Sequence, residues 1–289
     1  MEIKTLVYGL YPRSERLRTG LSKWERGIIK DNEIEQLISD ESKLFHDSCM
    51  AAGIELCGDP LFNWFDILRP LALSIEGVRL GALTRYKETN TFYRKPVIDR
   101  LGELRDIRLS VPLEDNPPLP MFHEQDHNYL YFLPGIHSFL EMSEINGNRE
   151  GMADRMLEIY SEIIKMLSIK SLVIYEAQPH ANLAIYEKLA TNVYLVTTGK
   201  IDERMFDNGG DNIHSIIADD PYEVERHCKI PGLKLVDSFN TKIEEDGLEK
   251  LKRYKDDFGE LIVTSNDSLD FLPRAVADRK IAIMGSWGK

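Results

Sequence analysis

From Tyr129 onward the chain repeats one short pattern: a continuous apolar run, a polar turn and a helical stretch. The runs fall at residues 129–133, 172–175, 193–196, 213–217, 233–236 and 261–263. An amphipathic stretch at 151–167 (Met152, Met156, Ile159, Ile163, Ile164, Leu167) and helical text at about 182–190, 201–207, 221–228 and 244–256 separate them. Strands that are apolar without alternation are buried on both faces, and the helices between them supply the cover. Two earlier runs, 3–8 and 54–57, with helical spacing at 33–52 and 66–75, bring the strands to eight. The expectation is an α/β fold, a closed (β/α)8 TIM barrel, whose chemistry sits at the carboxyl ends of the strands. An open doubly wound sheet is the alternative, and no GxGxxG turn supports it.

A chain of 289 residues has the length for one such barrel, which needs about 250, and one domain spanning 1–289 is expected. The excess lies at about 81–128, read as an inserted hairpin and loop between strands 2 and 3. It contains NTFYRKPVI (90–98), an alternating run at 107–111 and four prolines, Pro112, Pro117, Pro118 and Pro120. A net charge of −12 argues against nonspecific binding to nucleic acid or anionic membrane. No apolar run is long enough to span a bilayer, and the N-terminal text has no signal-peptide pattern. Cys49, Cys57 and Cys228 are odd in number and scattered, which suits a reducing cytoplasm and no disulfide framework.

Seven segments carry a resemblance to one family. YGLYPR (8–13) resembles the first-strand signature GS(F/Y)PR of cobalamin-independent methionine synthases. DPLFNWFDILRP (59–70) and NTFYRKPV (90–97) are similar to segments of its members and of their N-terminal-type barrels. LPGIHSF (133–139) resembles the family's PGPYTF loop, and VIYEAQ (173–178) resembles IQIDEPA. VDSFNTKIE (236–244) resembles VDGRNTKIE, and SNDSLDFLPR (265–274) resembles PSCGLEFLPR. The segments follow the family's order nearly end to end.

The resemblance implies methyl transfer from a methyltetrahydrofolate to homocysteine sulfur, with the thiol activated by zinc. The metal deprotonates a thiol that would otherwise stay largely protonated. The implied ligands fall on unsuitable residues. The HxC pair falls at Leu195 and Thr197, the glutamate at Ile216 (Ile217 if the alignment slips by one), and the last cysteine at Asp267. The aspartate preceding the fourth-strand glutamate falls at Tyr175, and the proton-donating histidine at Phe239. Two aliphatic side chains and a threonine cannot supply a zinc site that needs three or four N, S or O donors. No metal and no cofactor are therefore expected, zinc entering only if this subtraction fails. Methyltetrahydrofolate is the candidate ligand.

Glu176 and Asp267 are the candidate catalytic groups. Glu176 emerges from an apolar run and so needs a partner or solvent; Asp267 could instead cap the following helix or form an Asx turn with Ser268. The expected ligand-binding set at the mouth is Gly9, Leu10, Tyr11, Asp59, Gly135, His137, Glu176, Asp237, Asn240 and Asp267. Asp59, Asp219, Asp237 and Asn240 could also form an acidic mouth for a hard cation, although loop carboxylates are mostly just solvated. His123 to His127 reads HEQDH and matches HExxH, a zinc-protease pattern that works on a helix. Here it lies between prolines and a strand, on the barrel's stability face. His214 reads as a core or barrel-lining residue, and Trp24 and Trp64 as packing anchors.

Three functions follow: an accessory or folate-binding barrel acting with a separate zinc-bearing catalytic barrel, a methyltransferase working without zinc through Glu176 or Asp267, or a small-molecule binder outside methionine synthesis.

Overall fold

A computed structural model describes residues 1–86, 89, 91–105, 129–178, 181–206 and 213–288. The first half holds β1 (Glu2–Val7), α1 (Glu15–Glu25), α2 (Asp31–Ala52), β2 (Leu56–Gly58), α3 (Arg69–Ser74), β3 (Val78–Arg85) and β4 (Phe92–Ile98). Then follow β5 (Tyr129–Pro134), α4 (Ile136–Glu141), β6 (Glu144–Ile145), α5 (Met152–Met166), β7 (Ser171–Glu176) and β8 (Asn192–Thr197). The last part holds β9 (Ile213–Ala218), β10 (Cys228–Val236), α6 (Gly247–Lys252), β11 (Glu260–Ser265) and α7 (Arg274–Gly285).

Eight strands close into a barrel in the order β1-β11-β10-β9-β8-β7-β5-β2, and every pair is parallel. The (β/α)8 expectation is met. Burial explains the unbroken apolar runs: Leu261, Ile262 and Val263 of β11 and Leu172, Val173 and Ile174 of β7 are fully buried, enclosed by the barrel on one side and helices on the other. α2 buries Ile34, Ile38, Phe45 and Cys49, the stripe that a 3.6-residue repeat makes. It stops at Gly53 with φ +92°, where a left-handed residue ends a helix at low steric cost.

The expected insertion is an antiparallel hairpin of β3 and β4, joined in parallel by β6; it begins at Val78, three residues before the expected boundary. The run at 107–111, the prolines 112–120, Asn90 and the motif His123 to His127 lie outside the described residues.

Several helical expectations shrink. The stretches at 182–190, 201–207 and 221–228 are 3₁₀ turns over Leu183–Lys188, Glu203–Phe206 and Pro221–Glu223. The side chains of Asn182 and Asp220 cap the first and last of these locally, and such short turns run only a few residues. The helix expected at 66–75 starts at Arg69, because the Asp66 carboxylate accepts from the Leu68 and Arg69 amides at 3.0 and 2.8 Å. The stretch at 244–256 keeps helix only over α6. β2 starts two residues after the expected 54, and β10 starts at Cys228 instead of 233. Pro231 hides that longer strand, yet it pairs with β9 alone, and pairing to β11 starts at Gly232. A proline fits a strand where one neighbour is missing.

Candidate functional site at the carboxyl ends of the barrel strands

Aromatic rings fill the carboxyl end of the barrel. Tyr8, just past β1, stacks at 6.5 Å on Phe132 of β5 and lies 6.0 Å from Tyr175 of β7. Trp64 meets Phe132 edge-on at 6.0 Å, so it is the packing anchor its sequence context suggests; Trp24 is fastened to Asp31 through its indole N–H at 2.7 Å. Gly9 has φ +74°, and a β-carbon there would overlap Ser268 Oγ. Ser268 Oγ accepts from the Leu10 amide at 3.2 Å. The first and last loops of the barrel are thus sewn together, and glycine is what lets them approach.

Asp267 lies inside this seam. It is 3% exposed and accepts from Tyr175 Oη at 2.6 Å and from the Ser268 amide at 2.8 Å. Burial and the Asp267 charge hold the Tyr8 and Tyr175 hydroxyls protonated, well above the usual range. Asp267 and Tyr175, which the resemblance places at two of the family's site positions, are therefore tied to each other.

Glu176 ends β7 fully buried. Four donors converge on it: Tyr186 Oη at 2.7 Å, the His137 amide at 3.1 Å, the Gln178 amide at 3.2 Å and the Ser138 hydroxyl. A buried carboxylate needs such company, and here the company is the start of α4. That start is the LPGIHSF segment, read from sequence as a loop. Gly135 is obligatory, because a β-carbon would overlap the Glu176 carboxylate. His137 contributes its amide to Glu176, while its Nε2 is buried with no hydrogen-bond partner among the described residues.

The remaining expected binding residues do not converge on one point. The Tyr11 hydroxyl donates to Asp278 at 2.7 Å, and its ring packs on Phe45 and Phe62. Asp59 accepts from the Leu61 amide within its own turn. Asp237 accepts from the Phe239 amide at 2.9 Å and from the Asn240 side chain, and Asn240 is exposed. Asp219 pairs with Lys234 at 3.0 Å. An acidic mouth built from Asp59, Asp219 and Asp237 is not assembled: among the described residues no three His, Cys, Asp or Glu side chains gather as a metal-binding group. His214 is half-buried on β9, 4.8 Å from the Tyr194 ring, and burial lowers its pKa.

The side chains at the implied zinc positions do not fit zinc. Leu195 and Ile216 are fully buried and carry no donor atom. The Thr197 hydroxyl donates to the Ile217 carbonyl at 3.1 Å. Asp267 is the one carboxylate of the set, and with the Thr197 hydroxyl engaged elsewhere it cannot hold a tetrahedral ion by itself.

An open cleft lies to one side, between the β1–α1 loop, residues 61–65 and the turn before α7. This cleft measures about 520 Å³, within the usual size range of ligand pockets. Arg13 and Arg274, from the YGLYPR and SNDSLDFLPR segments, brace it. Arg13 donates to the Phe62 and Trp64 carbonyls at 2.8 and 2.5 Å. Arg274 bonds Asp278 and Glu41, both at 2.8 Å, with its guanidinium 5.0 Å from the Tyr11 ring. Asp270, on the Leu269–Phe271 3₁₀ turn, lines both this cleft and a small cavity of about 20 Å³ under the hairpin residues Tyr86, Phe92 and Tyr93. Burial, reinforced by Asp267, pushes its carboxyl up to about 7, against the pull of Arg13. Sequence reading passed over Asp270; its spacing three residues after Asp267, in a turn opening on a helix, was the available signal.

No model of a known protein family matches the sequence, and no curated protein matches it. Solved structures do. A B12-independent methionine synthase from Shewanella sp. W3-18-1, in complex with selenomethionine, superposes with a TM-score of 0.72 at 15% identity, covering 100% of this chain and 97% of that one. A putative vitamin-B12 independent methionine synthase from Listeria monocytogenes gives 0.66 at 12% identity, with 99% and 98% coverage. By its fold, this chain is a (β/α)8 barrel of the kind seen in B12-independent methionine synthases.

Proposed function

We propose that this protein is a methionine-synthase-related barrel that binds a small molecule at its mouth, has no zinc chemistry of its own, and acts beside a separate zinc-bearing catalytic barrel. The observation that carries the reading is the donor set: leucine, threonine and isoleucine stand at three implied ligand positions, and the fourth residue, Asp267, is spent on Tyr175 and Ser268. The full-length likeness to B12-independent methionine synthase folds supports the choice of pathway. Methyltetrahydrofolate remains the candidate ligand, and the cleft beside the mouth has the volume for part of such a molecule.

The zinc-free methyltransferase reading asks Glu176 or Asp267 to act as base. A general base must reach the proton it abstracts, and both carboxylates are buried and engaged with internal donors. That geometry favours the accessory reading. The test is homocysteine methylation from methyltetrahydrofolate, by the isolated protein and with a zinc-bearing B12-independent methionine synthase added. The expected result is no turnover alone and a changed rate or folate affinity of the added enzyme. Turnover by the isolated protein would overturn the proposal.

A further inference from the structure

The hairpin of β3 and β4 carries charge of the opposite sign to the chain. Between Val78 and Ile98 the sequence holds five Arg and Lys residues against one Glu, in a chain of net charge −12. Leu83 faces Arg94 across the hairpin, and Arg85 faces Phe92. Residues two apart on a strand share a face with their cross-strand partners, so these four side chains form one patch, and all four are exposed. Leu83 is 58% and Phe92 44% exposed; large apolar side chains set together in this way mark interaction sites, unlike scattered ones. The Arg85 guanidinium lies 5.8 Å from the Phe92 ring, and that of Arg94 donates to the Gly81 carbonyl at 3.4 Å. Neither has a carboxylate partner among the described residues, whereas Arg79 pairs with Asp99 at 3.5 Å.

The patch borders an open strand edge. In the sheet β3-β4-β6, β3 pairs with β4 on one side, and no described strand lies on the other. Such an edge offers N–H and C=O groups to any extended chain, and natural edges are guarded by bulges and by charge. β3 has both guards, a register shift between Leu80 and Leu83 and the cations beside it. Charge guards selectively. It repels a second copy of the same hairpin, because cations would meet cations, and it admits a strand of opposite sign.

We propose that the outer edge of β3 is a docking surface for an extended acidic segment of a partner protein. The segment adds a strand along β3 through main-chain hydrogen bonds. Its carboxylates meet Arg85 and Arg94, whose planar guanidiniums can each donate two parallel N–H groups, and an apolar side chain covers Leu83 and Phe92. A nucleic-acid strand would satisfy the arginines and the ring but not the main-chain edge, so a peptide fits more of the surface. Neither the ligand at the barrel mouth nor the lack of zinc enters this assignment.

The test titrates the whole protein with a short peptide of alternating glutamate and valine, with its lysine–valine counterpart and with an oligouridine of matched charge, followed by amide NMR and hydrogen exchange. The expected result with the acidic peptide is saturable shifts confined to residues 78–85 and 92–95, with slowed exchange of β3 amides. The basic peptide should bind about tenfold more weakly or not at all, and R85E/R94E should weaken the acidic peptide by a similar factor while the barrel amides keep their positions. Equal binding of the two peptides, shifts elsewhere, no binding, or tighter binding of oligouridine on this face would each overturn the assignment. So would sedimentation of the protein alone as a dimer whose contact slows exchange of the same β3 amides, since the occupant would then be a second copy. The peptide comparison on the wild-type protein stands even where the variant folds poorly. Methyl transfer by the isolated chain would sink the accessory role and leave this titration unmoved.

Discussion

At the scale of single residues, the two acids nominated from sequence each join segments of the barrel mouth. Glu176 holds the start of α4, and Asp267 holds the seam between the first and last barrel loops. Replacing Glu176 with glutamine puts an amide N–H₂ against converging donors. The expected loss is roughly 1–3 kcal/mol of stability, read by chemical denaturation; an unchanged midpoint would contradict the four-donor geometry. Asp270 is expected to behave in the opposite way. Its carboxyl is raised from 3.8 to about 7 in the folded protein, so the fold binds that proton more tightly than the unfolded chain does. Stability therefore falls as pH rises from about 4 to about 7 and is level above. The groups facing it are Asp267, Asp66, Tyr86, Arg13, Arg18 and Arg274. D270N should gain stability over wild type across that window, by at most roughly 4 kcal/mol at about 1.4 kcal/mol per unit. Thermal melts at pH 4.5 and 8 check this, and a difference that does not change with pH would contradict it.

At the scale of elements, the legible parts were those where one physical signal dominates. Seven strands met their expected positions closely because a strand buried on both faces must be apolar throughout, and α2 and α5 because their buried stripes repeat every turn. The misses have local causes. Pro231 masked the first half of β10, and two of the three stretches that run only as 3₁₀ turns open on side-chain caps, Asn182 and Asp220. α4 was read as a loop since six residues are too few for periodicity, and its support comes from Glu176, 35 or more residues away in sequence. The candidate site was legible as a location, the loops after the strands, but not as a set of roles, because hydrogen-bond partners join distant segments. α1 went unread although Ser14 announces it, accepting from the Leu17 amide at 3.1 Å. Ser14→Ala should cost about 1 kcal/mol, measured as a lowered melting temperature.

At the scale of the whole molecule, the barrel has the fold seen in B12-independent methionine synthases, and the proposed function rests on the side chains at its mouth. The rings of Tyr8, Phe132 and Tyr175 pack on one another, the hairpin residues Tyr86 and Tyr93 lie beside the last loop, and an open cleft lies beside the β1–α1 loop. Fold alone does not fix chemistry; the donor atoms at the strand ends do. The absence of those donors at Leu195, Thr197 and Ile216 is the claim on which the accessory role depends. It is tested most directly by equilibrating the purified protein with excess zinc, removing weakly held metal by dialysis against a mild chelator, and counting zinc per chain. The account predicts far less than one zinc retained, unaltered by prior reduction. One zinc per chain that survives the chelator, and is lost when Asp267 is replaced by alanine, would contradict it.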